Sequence, residues 1–157
     1  MRLYKYDPHG VINEFQVICW VILEIDGRIL LIQHGREGYY AHWGLPYAHL
    51  RRNEKLVNTL KRALKSTTGL TAEPAYFIGI VRAKGDPREL HLAFLMKNPK
   101  GKIKIKGEKV LIANTFDFHQ IQRMPDESLV HKEIKDILKR YRQGYHFPLD
   151  LVYEVVG

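Results

Sequence analysis

Residues 43–70 read WGLPYAHLRRNEKLVNTLKRALKSTTGL, and the organisation of the chain follows from this stretch. Trp43-Gly44-Leu45-Pro46 closes a polar loop. Asn53 is an N-cap residue type, so a helix is expected from about Glu54 to Thr68. Leu56, Val57, Leu60, Ala63 and Leu64 recur at helical spacing and form its apolar stripe. Gly69 follows, the residue that ends helices in a left-handed turn. Between His49 and Thr67 stand Arg51, Arg52, Lys55, Lys61, Arg62 and Lys65, against the single acid Glu54. This helix and its entry loop are therefore strongly cationic.

Working outward, Phe15 to Ile25 (FQVICWVILEI) is rich in β-branched and aromatic residues and apolar almost throughout. That composition predicts a strand buried on both faces. Asp26-Gly27 is a tight-hairpin dipeptide leading into a second strand, Arg28 to Gln33. His34 to Tyr40 is polar, contains two glycines and reads as a loop. Downstream, strands are expected at Ala75–Arg82 and Glu89–Lys97, with a turn through Gly85-Asp86-Pro87. Lys102 to Lys106 (KIKIK) alternates as an exposed, lysine-protected edge strand would. A second long helix is expected from Asp126 to Arg142. Leu129, Val130, Ile134, Ile137, Leu138 and Tyr141 form its buried face, and Gly144 its stop. The tail from Leu149 to Val156 reads either as a last strand or as a partner-contacting segment. Strands, helix, strands, helix is the order of an α+β chain. With no linker or repeat, a single domain over 1–157 is expected, its core at about 12–142 and a tail at 145–157.

The chain has 157 residues, of which 45% are hydrophobic and 27% charged, enough apolar material for one core. No apolar run reaches membrane-spanning length, and Met1 to Pro8 lacks a signal-peptide pattern. The single cysteine, Cys19, lies inside the apolar run and is expected to be a buried structural thiol in a reducing, cytoplasmic setting. A net charge of +8 favours an anionic partner such as a nucleotide, a nucleic acid or an acidic protein surface, and fits a basic protein with no nucleic-acid role at least as well. His34, His42 and His49 form no pattern of metal-ligand spacing, so no zinc site is expected. Serine-nucleophile, Walker and dinucleotide glycine motifs are all missing from the sequence.

The 43–70 segment resembles a Nudix box, G-x5-E-x7-R-E-U-x-E-E-x-G-U with U apolar, the signature of hydrolases acting on nucleoside diphosphates linked to another group. In register, Ala48 falls on the opening glycine, Glu54 on the first glutamate, Arg62 on the arginine and Leu64 on the apolar position. Gly69 and Leu70 fall on the closing pair. Trp43-Gly44-Leu45-Pro46 is similar to the family's W-x-L-P lead-in, and the hairpin before it is similar to the strand pair preceding the box. The resemblance implies an α/β/α sandwich around a mixed central sheet, with a homodimer left open.

The departures carry the functional expectation. The three remaining box glutamates fall at Ala63, Ser66 and Thr67, which share one helix face at i, i+3 and i+4. Carboxylates at that spacing share Mg²⁺ or Mn²⁺ in the family; an alanine and two hydroxyls do not supply that charge. The resemblance, so altered, implies a domain that binds a nucleotide-like or phosphorylated ligand, with metal-dependent hydrolysis lost or much reduced and no cofactor needed. Glu54 and Arg62 are the retained box residues, and an Arg62–Glu54 pair would be scaffold. Candidate ligand contacts are Arg51, Arg52 and Lys55 for an anion, and Tyr40, Trp43 and Tyr47, with Tyr39, for a base. The lysines of the helix read equally well as a solvated face, and Trp43 as a loop anchor. Two alternatives stand beside this reading. One is an RNA- or protein-interaction domain. The other is an active hydrolase that holds Mg²⁺ or Mn²⁺ through acids outside the usual set: Glu37, Glu54, Asp86, Glu89, Asp126 or Glu127.

Overall fold

The structure, a computed structural model, describes residues 15–152. Its elements in chain order are β1 (Gln16–Ile25), β2 (Arg28–His34), β3 (Trp43–Gly44), β4 (Tyr47–His49), α1 (Leu56–Thr68), β5 (Thr71–Val81), β6 (Glu89–Lys100), β7 (Val110–Phe116), α2 (Phe118–Arg123), α3 (Ile134–Arg142) and β8 (Phe147–Pro148). They form one mixed sheet with helices on both faces, the α/β/α sandwich expected. Along the sheet the order is β3-β2-β1-β6-β5-β8, with β4 also on β1 and β7 on β2. Among the described residues, no helix is long and apolar enough to cross a membrane.

The apolar run of β1 explains the layering. Ile18, Trp20 and Ile22 point into one core with Ile121, Ile134, Ile137 and Leu138 of α2 and α3. Cys19, Val21 and Leu23 point into the other, against Leu56, Leu60, Ala63 and Leu64 of α1. A strand with both faces covered needs apolar residues at every position, because successive side chains alternate between faces. Asp26 and Gly27 both take positive φ (52° and 75°), as a two-residue hairpin turn requires. One edge of β1 runs parallel to β6 from Gln16 to Leu23. Its other edge is divided: Ile18 to Trp20 pair with β4, and Glu24 and Ile25 with β2. This division places β4 and the loop before α1 at the edge of a cleft.

Three sequence expectations are corrected. First, α1 begins at Leu56 with Lys55 as its N-cap, not after Asn53. Asn53 instead adopts a left-handed φ of 61° in the preceding turn, a conformation asparagine tolerates. Second, Lys102 to Lys106 is not a strand. The Lys104 amide donates to the Thr68 carbonyl at 2.8 Å, so this segment wraps the end of α1. Gly69, at φ 81°, is needed there, since a Cβ would lie 2.9 Å from the Lys104 carbonyl oxygen.

Third, the long helix from Asp126 to Arg142 is broken. A short helical turn covers Asp126–Ser128, and α3 starts only at Ile134. Between them Leu129 is extended, and the Val130 amide donates to the Trp43 carbonyl at 2.9 Å, which holds the segment against the box lead-in. Of the tail, Phe147–Pro148 form β8 and Leu149–Leu151 a helical turn; the rest of the expected segment, 153–156, lies outside the described residues. Sequence reading also passed over β7, which pairs with β2, and α2, which Asp117 and Gln120 close with a reciprocal capping box.

Candidate functional site

The loop from β4 to α1 is fixed by the two retained box residues. Arg62 donates from Nε and one terminal nitrogen to the Glu54 carboxylate at 3.0 and 2.7 Å, and also to the His49 carbonyl at 2.6 Å. The Thr59 hydroxyl donates to the same carboxylate at 2.7 Å. The hydrogen bond from Arg62, aided by Thr59 and the arginine's charge and opposed by partial burial, lowers the Glu54 pKa to about 2. Arg62 is thus half of a two-pronged ion pair that ties the loop to the helix.

Beside this pair lies a cavity of about 280 Å³. Ser66 and Thr67 form its α1 wall; Arg36, Arg51, Arg62 and Lys109 surround it, with Tyr47 and His49 on β4. No carboxylate among the described residues lines it. Among the described residues, Arg36, Arg51 and Lys109 form no ion pair, so three cations stand uncompensated. The donor set does not fit a hard divalent cation, which takes oxygen ligands with carboxylate charge. Ala63 is fully buried in the core and does not reach the cavity. The Thr67 hydroxyl donates to the Ala63 carbonyl at 2.6 Å, and Ser66 brings one neutral hydroxyl.

A second cavity, of about 240 Å³, shares Arg36, Tyr47 and His49 with the first and continues toward β6 and the turn before α3. It is lined by Trp20, His34, Tyr39, Leu45, Glu89, His91 and His131, among others. Arg36 sits at the junction and donates to the Tyr47 hydroxyl at 2.7 Å. The Tyr47 ring stacks on His34, with centroids 5.2 Å apart and planes 6° apart. Gly44 leaves room for this arrangement, since a Cβ there would lie 3.3 Å from His34 Nε2.

Burial, followed by the charge of Arg36, lowers the His34 pKa to about 4. Burial also lowers His91 to about 4, and lowers His49 and His131. The imidazoles at this end of the cleft are therefore neutral near pH 7, beside the guanidinium of Arg36 and the carboxylate of Glu89.

The expected contacts divide cleanly. Arg51 and Tyr47 line the cleft, as does Tyr39. Arg52 and Lys55 are exposed and line neither cavity, and Tyr40 is 64% exposed on the outer loop. Trp43 packs edge-on against Phe116 at 4.9 Å and anchors the loop.

Of the acids outside the usual box set, Asp86 is paired with Arg88 and Asp126 with Lys135. Glu37 and Glu127 are exposed and line neither cavity, and only Glu89 reaches one. Sequence reading missed Arg36, Lys109, His34, His49, His91 and His131 as cleft residues. They come from five separate segments, and no local spacing announces them.

A family model for the NUDIX domain matches residues 14–140. No curated protein matches the sequence. Among solved structures, the NUDIX hydrolase from Nitrosomonas europaea superposes with a TM-score of 0.76 at 17% identity, covering 92% of this chain and 99% of that one. The MutT protein from Methanosarcina mazei Go1 gives 0.74 at 16% identity, with 85% and 97% covered. The NUDIX domain of Shewanella oneidensis NrtR, complexed with ADP ribose, gives 0.66 at 19%, with 88% and 92% covered. At these identities the likeness is one of fold.

Proposed function

The chain belongs to the NUDIX domain family, and on that premise we propose that it binds a nucleotide-like, diphosphate-containing ligand through cations, with metal-dependent hydrolysis lost or much reduced. One observation carries this reading: the cavity against α1 is walled by Arg36, Arg51, Arg62 and Lys109 with no carboxylate among its lining residues. An arginine can hold a phosphate oxygen pair directly, a role a bridging metal otherwise fills. The adjoining cavity suits the nucleoside end, with Tyr39, Tyr47 and the neutral rings of His34 and His49 available to stack on a base. Fold does not by itself carry function across a family; the cleft residues do.

Because the NrtR domain carries ADP ribose, ADP-ribose is the first ligand to try, with ADP and ATP beside it. The experiment is thermal unfolding in EDTA and again in Mg²⁺, with products followed by chromatography. A ligand at a hundred times its Kd stabilises by about 2.7 kcal/mol, roughly 5–10 °C for a chain of this size. Stabilisation in EDTA with no product supports the reading. Turnover that needs Mg²⁺ contradicts it.

A further inference from the structure

We propose that Glu89, His91 and His131 form a binding site for one divalent transition-metal ion of the zinc type, at the end of the cleft away from α1. Their ligand atoms all lie within 4.8 Å of one another. Glu89 and His91 are two apart on β6 and so project from the same face of the sheet. His131 reaches them from the turn held against Trp43 just before α3.

His91 is the group that calls for a partner. It is only 1% exposed, and neither ring nitrogen makes a well-formed hydrogen bond, the Val81 backbone being its one polar neighbour besides Glu89 and His131 among the described residues. Buried polar atoms are nearly always satisfied, so an imidazole with at most one weak partner needs an explanation. Its Nε2 lies 3.7 Å from a Glu89 carboxylate oxygen, too far for a hydrogen bond. Two ligands each about 2.0–2.2 Å from a tetrahedral ion stand about 3.4 Å apart, which is near this separation.

The rings are held in place. Trp20 packs on His91 at 4.6 Å and on His131 at 5.7 Å, and the two imidazoles meet edge to face at 4.7 Å. Two imidazoles and one carboxylate favour Zn²⁺, Co²⁺ or Ni²⁺ over Mg²⁺. Three protein ligands leave at least one coordination position for water or a ligand atom. All three residues line the cavity, so that position opens into the cleft.

The test is titration of tag-free, metal-stripped protein with Co²⁺, read by its visible d–d bands, with Zn²⁺ displacement to obtain the affinity. No phosphorylated ligand is present, so the result bears on the metal site and leaves the cationic cleft to its own experiment. One equivalent should bind, and His131→Ala and Glu89→Gln should each weaken binding at least tenfold. These two side chains are partly exposed, so both variants should fold; His91→Ala is a third, with its fold checked by circular dichroism. Absence of a stoichiometric Co²⁺ spectrum, or equal binding by wild type, His131→Ala and Glu89→Gln, overturns the proposal.

Discussion

The two cavities of the cleft share Arg36, Tyr47 and His49, yet they follow opposite electrostatic rules. The one against α1 holds the guanidinium and ammonium groups of Arg36, Arg51, Arg62 and Lys109. The one against β6 holds imidazoles that burial keeps uncharged. A phosphate is attracted to the first, while a base, or a metal seeking a neutral nitrogen, suits the second. Substitutions in the box helix thus change one half of the cleft, and the other half is built by segments the box does not include.

The largest effect that would sharpen this contrast is on ligand affinity. Arg36→Ala with Arg51→Ala should weaken binding of a diphosphate ligand a hundredfold or more, since each charged hydrogen bond contributes about 1.5–3 kcal/mol. Isothermal titration calorimetry in EDTA measures it, and an affinity within threefold of wild type would return these cations to solvent.

Next comes the pH response of the neutral half. His34 has its pKa lowered from 6.5 to about 4, so the unfolded chain takes up the proton first as pH falls. The associated stability is present above pH 6.5 and is lost on descending toward 4. Between pH 7 and pH 5 that loss is up to about 2 kcal/mol for this group. Urea unfolding at the two pH values should show it, and His34→Gln should flatten it.

Glu54→Gln tests the scaffold pair, whose side chains are 18% and 25% exposed for Glu54 and Arg62. Screening at that exposure leaves a cost of roughly 1–2 kcal/mol in chemical unfolding. Because the Glu54 pKa falls from 4.5 to about 2, this contribution is full above pH 4.5 and fades as pH drops toward 2. Equal stability of wild type and variant at pH 7 would remove the pair from the account.

Smaller still, Ser66→Glu places a carboxylate on the cationic wall and should lower ligand affinity about tenfold, an effect that salt reduces. The smallest effect is expected for Arg52→Ala and Lys55→Ala, which line neither cavity and should change affinity less than twofold.

The fold was legible because its signals are local. The double-sided apolar run of β1, the Asp26-Gly27 hairpin and the Gly69 stop each follow from steric rules on neighbouring residues. What was not legible depended on long-range contacts. The helix expected through Val130 is broken because the Val130 amide bonds to Trp43, 87 residues earlier. KIKIK has the alternation of a strand, yet it bonds to the end of α1. At the site, the Glu54–Arg62 pair was readable from the box spacing, Arg51 from the run of cations around it and Tyr47 from the aromatics of the adjoining loop. Arg36 and Lys109 were not, since only the pairing of β2 with β7 brings their loops together. His91 and His131 meet through tertiary packing 40 positions apart, beyond any ligand-spacing pattern.

The most direct test of the central claim is calorimetric titration of the wild-type protein with ADP-ribose in EDTA, with the products analysed after addition of Mg²⁺. Saturable binding without metal, with the ligand intact afterwards, is the expected result. Binding that appears only with Mg²⁺, followed by cleavage of the diphosphate, would contradict it.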